Sequence, residues 1–295
     1  QFLLAGGADP RLVAATAALR RTHHPRRAAV VGATAEELAR RLEELPTAAA
    51  APSAGRRIFV FSGQGTHHAG MAVSLLEREP AARASIEAFD RAMVRHASWT
   101  VAEAIRAGDR WEDTEFAQPA LVAIHLAVVA VLSAWGIEPD AVIGHSLGEV
   151  SAAVAAGAIP LEDAVLLAVR RGRILQRTKG RGAMIAFEAA PGELAAVPGV
   201  SVAALNGPRD TVLAGDREAL AGLAREFEGR GGRWRWVSET YAFHGPGLEA
   251  AAEELRAGLQ GLSPAAGRVP IASSTLGALA GGAPRAPAHR AAHHP

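Results

Sequence analysis

Gly144-His145-Ser146-Leu147-Gly148 has the Gly-x-Ser-x-Gly spacing of a nucleophile elbow. In such a turn the serine sits at the end of a strand in a strained conformation, and the glycines let strand and helix come close. The chemistry such a turn serves is nucleophilic attack by the serine hydroxyl, which needs a base beside it. Four histidines follow Ser146: His244, His289, His293 and His294. The last three lie in an aperiodic stretch of Ala, Pro, Arg and His, so His244 is the candidate base by elimination. The Leu147 amide would stand at a helix N-terminus, where an N–H can meet a developing oxyanion. Spacing alone leaves open a plain strand–turn–helix link and a surface loop histidine.

The elements around these residues decide between the readings. Asp140–Ile143 is a short apolar strand before the turn, and Val150–Ala156 opens an alanine-rich helix after it. Upstream, Arg57–Phe61 is a buried strand that ends in the tight turn Gly63-Gln64-Gly65, with a helix near 69–77. Pro119 is placed to begin a helix that stops at Gly136. Another helix covers 161–177. Strands alternating with helices argue a parallel α/β core. After Gly182 the pattern changes. Strands at 184–187, 200–204, 211–214 and 233–237, with helices at 191–196 and 216–230, give the β-α-β-β-α-β order of a ferredoxin-like unit. A helix at 249–259 and a strand at 269–272 return to the core. The front piece has helices at 8–21 and 34–45 and a short strand at 28–31, and 47–55 is a low-complexity linker.

The expected division is a linker subdomain at 1–54, a core at 55–182 and 245–280, a small subdomain at 183–244, and a disordered or non-native tail at 281–295. The chain has 295 residues, 49% hydrophobic and 21% charged, as in soluble globular enzymes. Lys plus Arg is 31 against 30 for Asp plus Glu, so no bulk field draws nucleic acid. With Cys 0, disulfides, thiolate-bound zinc and a cysteine nucleophile are excluded. The start lacks Met and a basic region before its apolar run, so an excised piece without signal peptide is expected. The apolar run 119–135 is too short to span a membrane and reads as a buried helix. A cytoplasmic location, no metal and no redox cofactor are expected.

GQG at 63–65, AQPAL at 117–121, GHSLGE at 144–149, RRGRILQ at 170–176, GAM at 182–184, NGP at 206–208 and YAFH at 241–244 occur in this order. Together they resemble the acyltransferase domain of type I modular polyketide synthases, kin to malonyl-CoA:acyl-carrier-protein transacylases. The resemblance covers about 55–280, and residues 1–54 resemble the ketosynthase-to-acyltransferase linker. It implies an α/β-hydrolase-like core with a parallel sheet and an inserted ferredoxin-like subdomain. It implies Ser146 as the acylated nucleophile, His244 as its base, and Gln64 with the Leu147 amide as the oxyanion hole. Arg171 falls where the family pairs an arginine with the extender's carboxylate, a geometry that suits guanidinium. Gln118 and Asn206 are implied pocket residues, with turn or cap roles as the alternative. Tyr241 and Phe243 are the implied selectivity residues. The bulk of Phe243 and the apolar Leu147 favour malonyl-CoA over methylmalonyl-CoA. The implied partners are an acyl carrier protein and neighbouring synthase domains, ketosynthase among them. A serine hydrolase or proofreading thioesterase, and a non-catalytic scaffold piece, are the alternatives. Three departures stand out. Gly245 replaces the serine usual after the base, His67-His68 replaces Gln-Trp, and nothing after Gly281 resembles the family's own segment.

Overall fold

The computed structural model describes residues 9–22, 24, 28–45, 55–65 and 67–280. The chain divides into two compact units, Gln1–Arg56 and Arg57–Pro295. In the first, α1 (Pro10–Leu19) begins at Asp9, whose carboxylate accepts from the Arg11 N–H at 2.8 Å. Helix α2 (Ala35–Glu43) begins at Thr34, whose Oγ1 accepts from the Glu37 N–H at 3.2 Å. Each cap satisfies an amide that the first helical turn leaves without a partner. Residues 28–31, expected as a strand, form none. No strand among the described residues of this unit is there to pair with them. The expected linker at 47–55 lies outside the described residues except for Gly55.

The second unit runs through β1 (Ile58–Phe61), α3 (Val73–Arg78), α4 (Pro80–Met93), α5 (Val101–Ala107), α6 (Thr114–Ala134), β2 (Ala141–Gly144), α7 (Gly148–Ala155) and α8 (Leu161–Gln176). It continues with β3 (Ala183–Phe187), β4 (Val200–Gly207), β5 (Asp210–Gly215), α9 (Arg217–Gly229), β6 (Trp234–Ser238), α10 (Glu249–Gly258), β7 (Ile271–Ser273) and β8 (Ala278–Ala280). One sheet has the order β1-β2-β7-β8. Its first three strands are parallel, and β8 closes the edge antiparallel. The other sheet, β4-β5-β3-β6, is antiparallel throughout. This is the expected architecture: an α/β-hydrolase-like core with a ferredoxin-like unit inserted between α8 and α10.

Two expectations need correction. Helix α6 starts at Thr114, so Pro119 lies inside it rather than at its first position. Proline removes one backbone donor. Separately, at the start of the helix the Glu115 N–H, a first-turn amide with no partner inside the helix, donates to Gln176 Oε1 at 3.4 Å. The helix expected at 191–196 is a single 3-10 turn, Pro191–Glu193. The sequence reading also left α4 and α5 unassigned. Helix α4 buries Ala82, Ile86, Phe89 and Met93 on one face, the helical period that places an apolar stripe against the core. These side chains join Leu121 and Ile124 of α6 and Val165 and Leu167 of α8 in the main core. Helix α6 is long and apolar enough to cross a membrane, but 67% of its apolar window is buried within the protein. It is the central core helix.

The core has its tightest spot where β2 passes into α7. A Cβ on Gly144 would lie 2.3 Å from the Glu149 nitrogen, and one on Gly148 would lie 2.1 Å from the Phe61 oxygen. Backbone fills both places, so only glycine lets strand and helix meet there. Gly148→Ala should therefore cost stability by about 1–3 kcal/mol or more, the range for overpacking a closed site. Urea denaturation measures it, and an unchanged midpoint would show that the elbow can relax.

Candidate active site

The turn after β2 places Ser146 at φ 51, in the left-handed region. Non-glycine residues hold that conformation only where their surroundings enforce it. Here the His145 N–H donates to the Phe61 carbonyl at 2.9 Å and the Gly148 N–H to the His145 carbonyl at 2.9 Å. His244 is also left-handed, at φ 60. It sits in the turn that leaves β6, closed by a 3.0 Å bond from the Gly245 N–H to the Ala242 carbonyl. A Cβ at residue 245 would lie 2.9 Å from the Ala242 oxygen and 3.0 Å from Ala214 Cβ. Glycine in place of the family's serine thus fits a turn with no room for a side chain.

The two strained residues meet. Ser146 Oγ lies 2.8 Å from His244 Nε2, within the reach a nucleophile–base pair needs. Arg171, half-buried on α8, brings one guanidinium nitrogen to 3.4 Å from Ser146 Oγ. Burial lowers its pKa to about 10, while the charge of Glu149 acts the other way. The guanidinium stays cationic at neutral pH. Glu149 also receives the Ser274 N–H at 3.1 Å and the Ser274 hydroxyl at 2.8 Å, which ties the turn after β7 to α7.

Gln64 stands on the loop after β1. Its Oε1 accepts from Thr114 Oγ1 at 3.0 Å and from Gln118 Nε2 at 3.2 Å. With that oxygen engaged, its amide N–H groups are turned to donation. The Leu147 N–H has no protein acceptor recorded among the described residues, and the Leu147 side chain is buried at 1% exposure. Both are suited to an oxyanion at Ser146.

A cleft of about 710 Å³ between the two sheets collects these groups. Ser146, His244, Gln64 and Arg171 line it, together with Gln118, Asn206, Tyr241 and Phe243. Every residue expected at the site borders this cleft except Leu147, whose side chain packs into the core behind it. Asn206 is exposed on β4, and Gln118 is buried. Tyr241 is buried and stacks on Phe243, with ring centroids 4.8 Å apart and an interplanar angle of 12°.

Sequence reasoning missed several lining residues, among them His67, His145, Met184, Arg235 and Trp236. His67 had a signal, since it breaks the family pattern. Its ring is locked, with Nδ1 accepting from the Gly65 N–H at 3.3 Å and Nε2 donating to the Trp111 carbonyl at 2.8 Å. Arg235 and Trp236 gave none, because they come from a strand that reaches the cleft only through the sheet pairing.

A family model described as the acyl transferase domain matches residues 58–294. The chain belongs to the acyl transferase domain family. The match runs into 281–295, the expected tail, which lies outside the described residues. Polyketide synthase GfsE of Streptomyces halstedii is 35% identical over an alignment covering 94% of this chain and 8% of that protein. Erythronolide synthase EryA3 of Saccharopolyspora erythraea is 36% identical over 89% of this chain and 9% of that protein. The chain thus spans only a small part of these multidomain relatives. Among solved structures, the acyltransferase domain from module 8 of the salinomycin polyketide synthase superposes with a TM-score of 0.82. It is 33% identical and covers 94% of this chain and 70% of its own. MCAT from Streptococcus pneumoniae is 28% identical with a TM-score of 0.68, covering 76% of each chain. The resemblance to polyketide synthase acyltransferase domains is borne out.

Behind the Gln64 loop, His125 on α6 bonds Ser151 Oγ through Nδ1 at 3.0 Å and approaches Ser62 Oγ through Nε2 at 3.4 Å. Burial lowers its pKa from 6.5 to about 4. The unfolded chain therefore takes up a proton near pH 6.5 that the folded chain refuses until about pH 4. Its share of stability is present above the higher value and is lost as the pH falls through this window. Glutamine does not titrate, so His125→Gln should flatten the acid limb by on the order of 3 kcal/mol between those pH values. Stability curves of variant and wild type that run parallel there would contradict this.

Proposed function

We propose that this chain transfers a malonyl-type extender group from coenzyme A to the phosphopantetheine thiol of an acyl carrier protein, through an ester on Ser146. The observation that carries this is the 2.8 Å Ser146–His244 contact with the Arg171 guanidinium 3.4 Å from the same oxygen. A nucleophile–base pair makes the chain an acyl-transfer catalyst, and a cation beside it selects an acyl group that bears a carboxylate.

Ser146 Oγ attacks the thioester carbonyl and its proton passes to His244 Nε2. The Leu147 N–H and the Gln64 amide stabilise the tetrahedral oxyanion. The intermediate collapses, the carbon–sulfur bond breaks, and His244 returns the proton to the departing coenzyme A thiol. The carrier thiol then attacks the Ser146 ester with His244 again as base. This regenerates the serine and gives ping-pong kinetics. Malonyl-CoA is favoured over methylmalonyl-CoA because the Phe243 ring occupies space beside His244. The relatives' multidomain build supports a carrier protein, a ketosynthase and other synthase domains as partners, in the cytoplasm. No metal or redox cofactor enters any step.

Arg171→Ala separates this reading from a simple esterase. The lost charge-assisted pair is worth about 1.5–3 kcal/mol, a factor of roughly 10–150. The kcat/KM for malonyl-CoA should fall by that factor, while that for acetyl-CoA should change little. Equal losses for both thioesters would refute the assignment. Release of free malonate as fast as carrier loading would favour a hydrolase.

A further inference from the structure

Gln176 ends α8 and takes no part in the chemistry proposed above, yet its amide is fully engaged. Its Oε1 accepts from the Tyr241 hydroxyl at 2.9 Å, and its Nε2 donates to Asp113 Oδ1 at 2.9 Å. Asp113 also receives Lys179 Nζ at 2.7 Å, so the amide is gripped at both ends. Two segments beside the cleft converge on this group. On one side Tyr241, 3% exposed, carries the stacked Phe243 ring. On the other, Asp113 and Glu115 flank Thr114, whose hydroxyl holds Gln64.

We infer that Gln176 is a positioning residue for acyl-group size: it clamps the Tyr241–Phe243 stack as a wall that excludes a substituent on the α-carbon of the bound acyl group. This rests on the reading that the bound group is a malonyl-type thioester. One methyl is worth only about 1–3 kcal/mol, and only against a wall that does not yield. Phe243 rests on Met184, Ala186, Val212 and Ala214 of the antiparallel sheet, and its other face is covered by Tyr241. The Tyr241 hydroxyl is buried and needs an acceptor. Gln176 Oε1 supplies it. Without that oxygen the phenol keeps the bond it accepts from the Thr114 backbone N–H, but its own proton must either go without an acceptor or turn to another one. Rotation of the ring to reach one carries the stacked Phe243 with it and opens the wall.

The test is competition between equal amounts of malonyl-CoA and methylmalonyl-CoA, with acyl-enzyme read by intact mass. Gln176→Leu, Tyr241→Phe and the double variant are compared with wild type. Each single variant should raise the methylmalonyl-to-malonyl ratio by about 3–10-fold, within what one methyl can discriminate. The double should go no further than the larger single effect, because all three variants remove the Tyr241–Gln176 bond that the inference makes decisive. An unchanged ratio in the single variants, or fully additive effects, overturns the inference. If Gln176→Leu fails to fold, Tyr241→Phe decides alone: a raised ratio supports the clamp and an unchanged one overturns it. A wild type that loads neither thioester overturns the proposed function, and this inference with it. A wild type that loads normally while the variants keep its ratio overturns the inference alone.

Discussion

The 2.8 Å contact between Ser146 Oγ and His244 Nε2 joins residues 98 positions apart, each in the left-handed backbone region. Such conformations cost of order 1–3 kcal/mol each and persist only where the surroundings leave no choice. For Ser146 the constraint is the packing of α7 onto β1 and β2 through Gly144 and Gly148. For His244 it is the tight turn at Ala242–Gly245 on the antiparallel sheet. The contact therefore exists only while both sheets are folded and correctly placed. This accounts for the architecture, in which one sheet carries the nucleophile, the other carries the base, and the cleft lies between them.

In the proposed function, helix α8 supplies the charge that turns this pair toward a carboxylated acyl group. Arg171 reaches the serine from that helix, and Gln176 at its end accepts the Tyr241 hydroxyl. Helix α6 holds the third element, since Thr114 and Gln118 both fix the Gln64 oxygen. Few of these groups touch one another in sequence. Each is held by a buried or half-buried hydrogen bond whose loss would leave a polar group without a partner. The proposed steric preference would thus be expressed against groups that are held in place.

The elbow was legible because its chemistry needs a fixed local spacing. Gly144, Ser146 and Gly148 carry it within five residues, and the flanking apolar runs mark strand and helix. His244 was legible by elimination, because so few histidines follow the serine. The parallel core and the ferredoxin-like insert followed from the alternation of periods. Helix α4 was missed although its stripe of Ala82, Ile86, Phe89 and Met93 is regular. Pro119 was misplaced because proline favours the first position of a helix, whereas here the helix already begins at Thr114. The bracing roles of Thr114, His125 and Gln176 had no local signature. Their partners lie 26 to 65 residues away, and only the packed structure brings them together.

The central claim is that Ser146 becomes a nucleophile only through its contact with His244. Peptide mapping by mass spectrometry after brief incubation with malonyl-CoA tests it most directly, comparing wild type with His244→Ala. The account predicts a malonyl group on the peptide containing Ser146 in wild type, and at least a hundredfold slower labelling in the variant, about the smallest contribution expected of a general base. Equal labelling of both proteins, or a malonyl group on another residue, would contradict it.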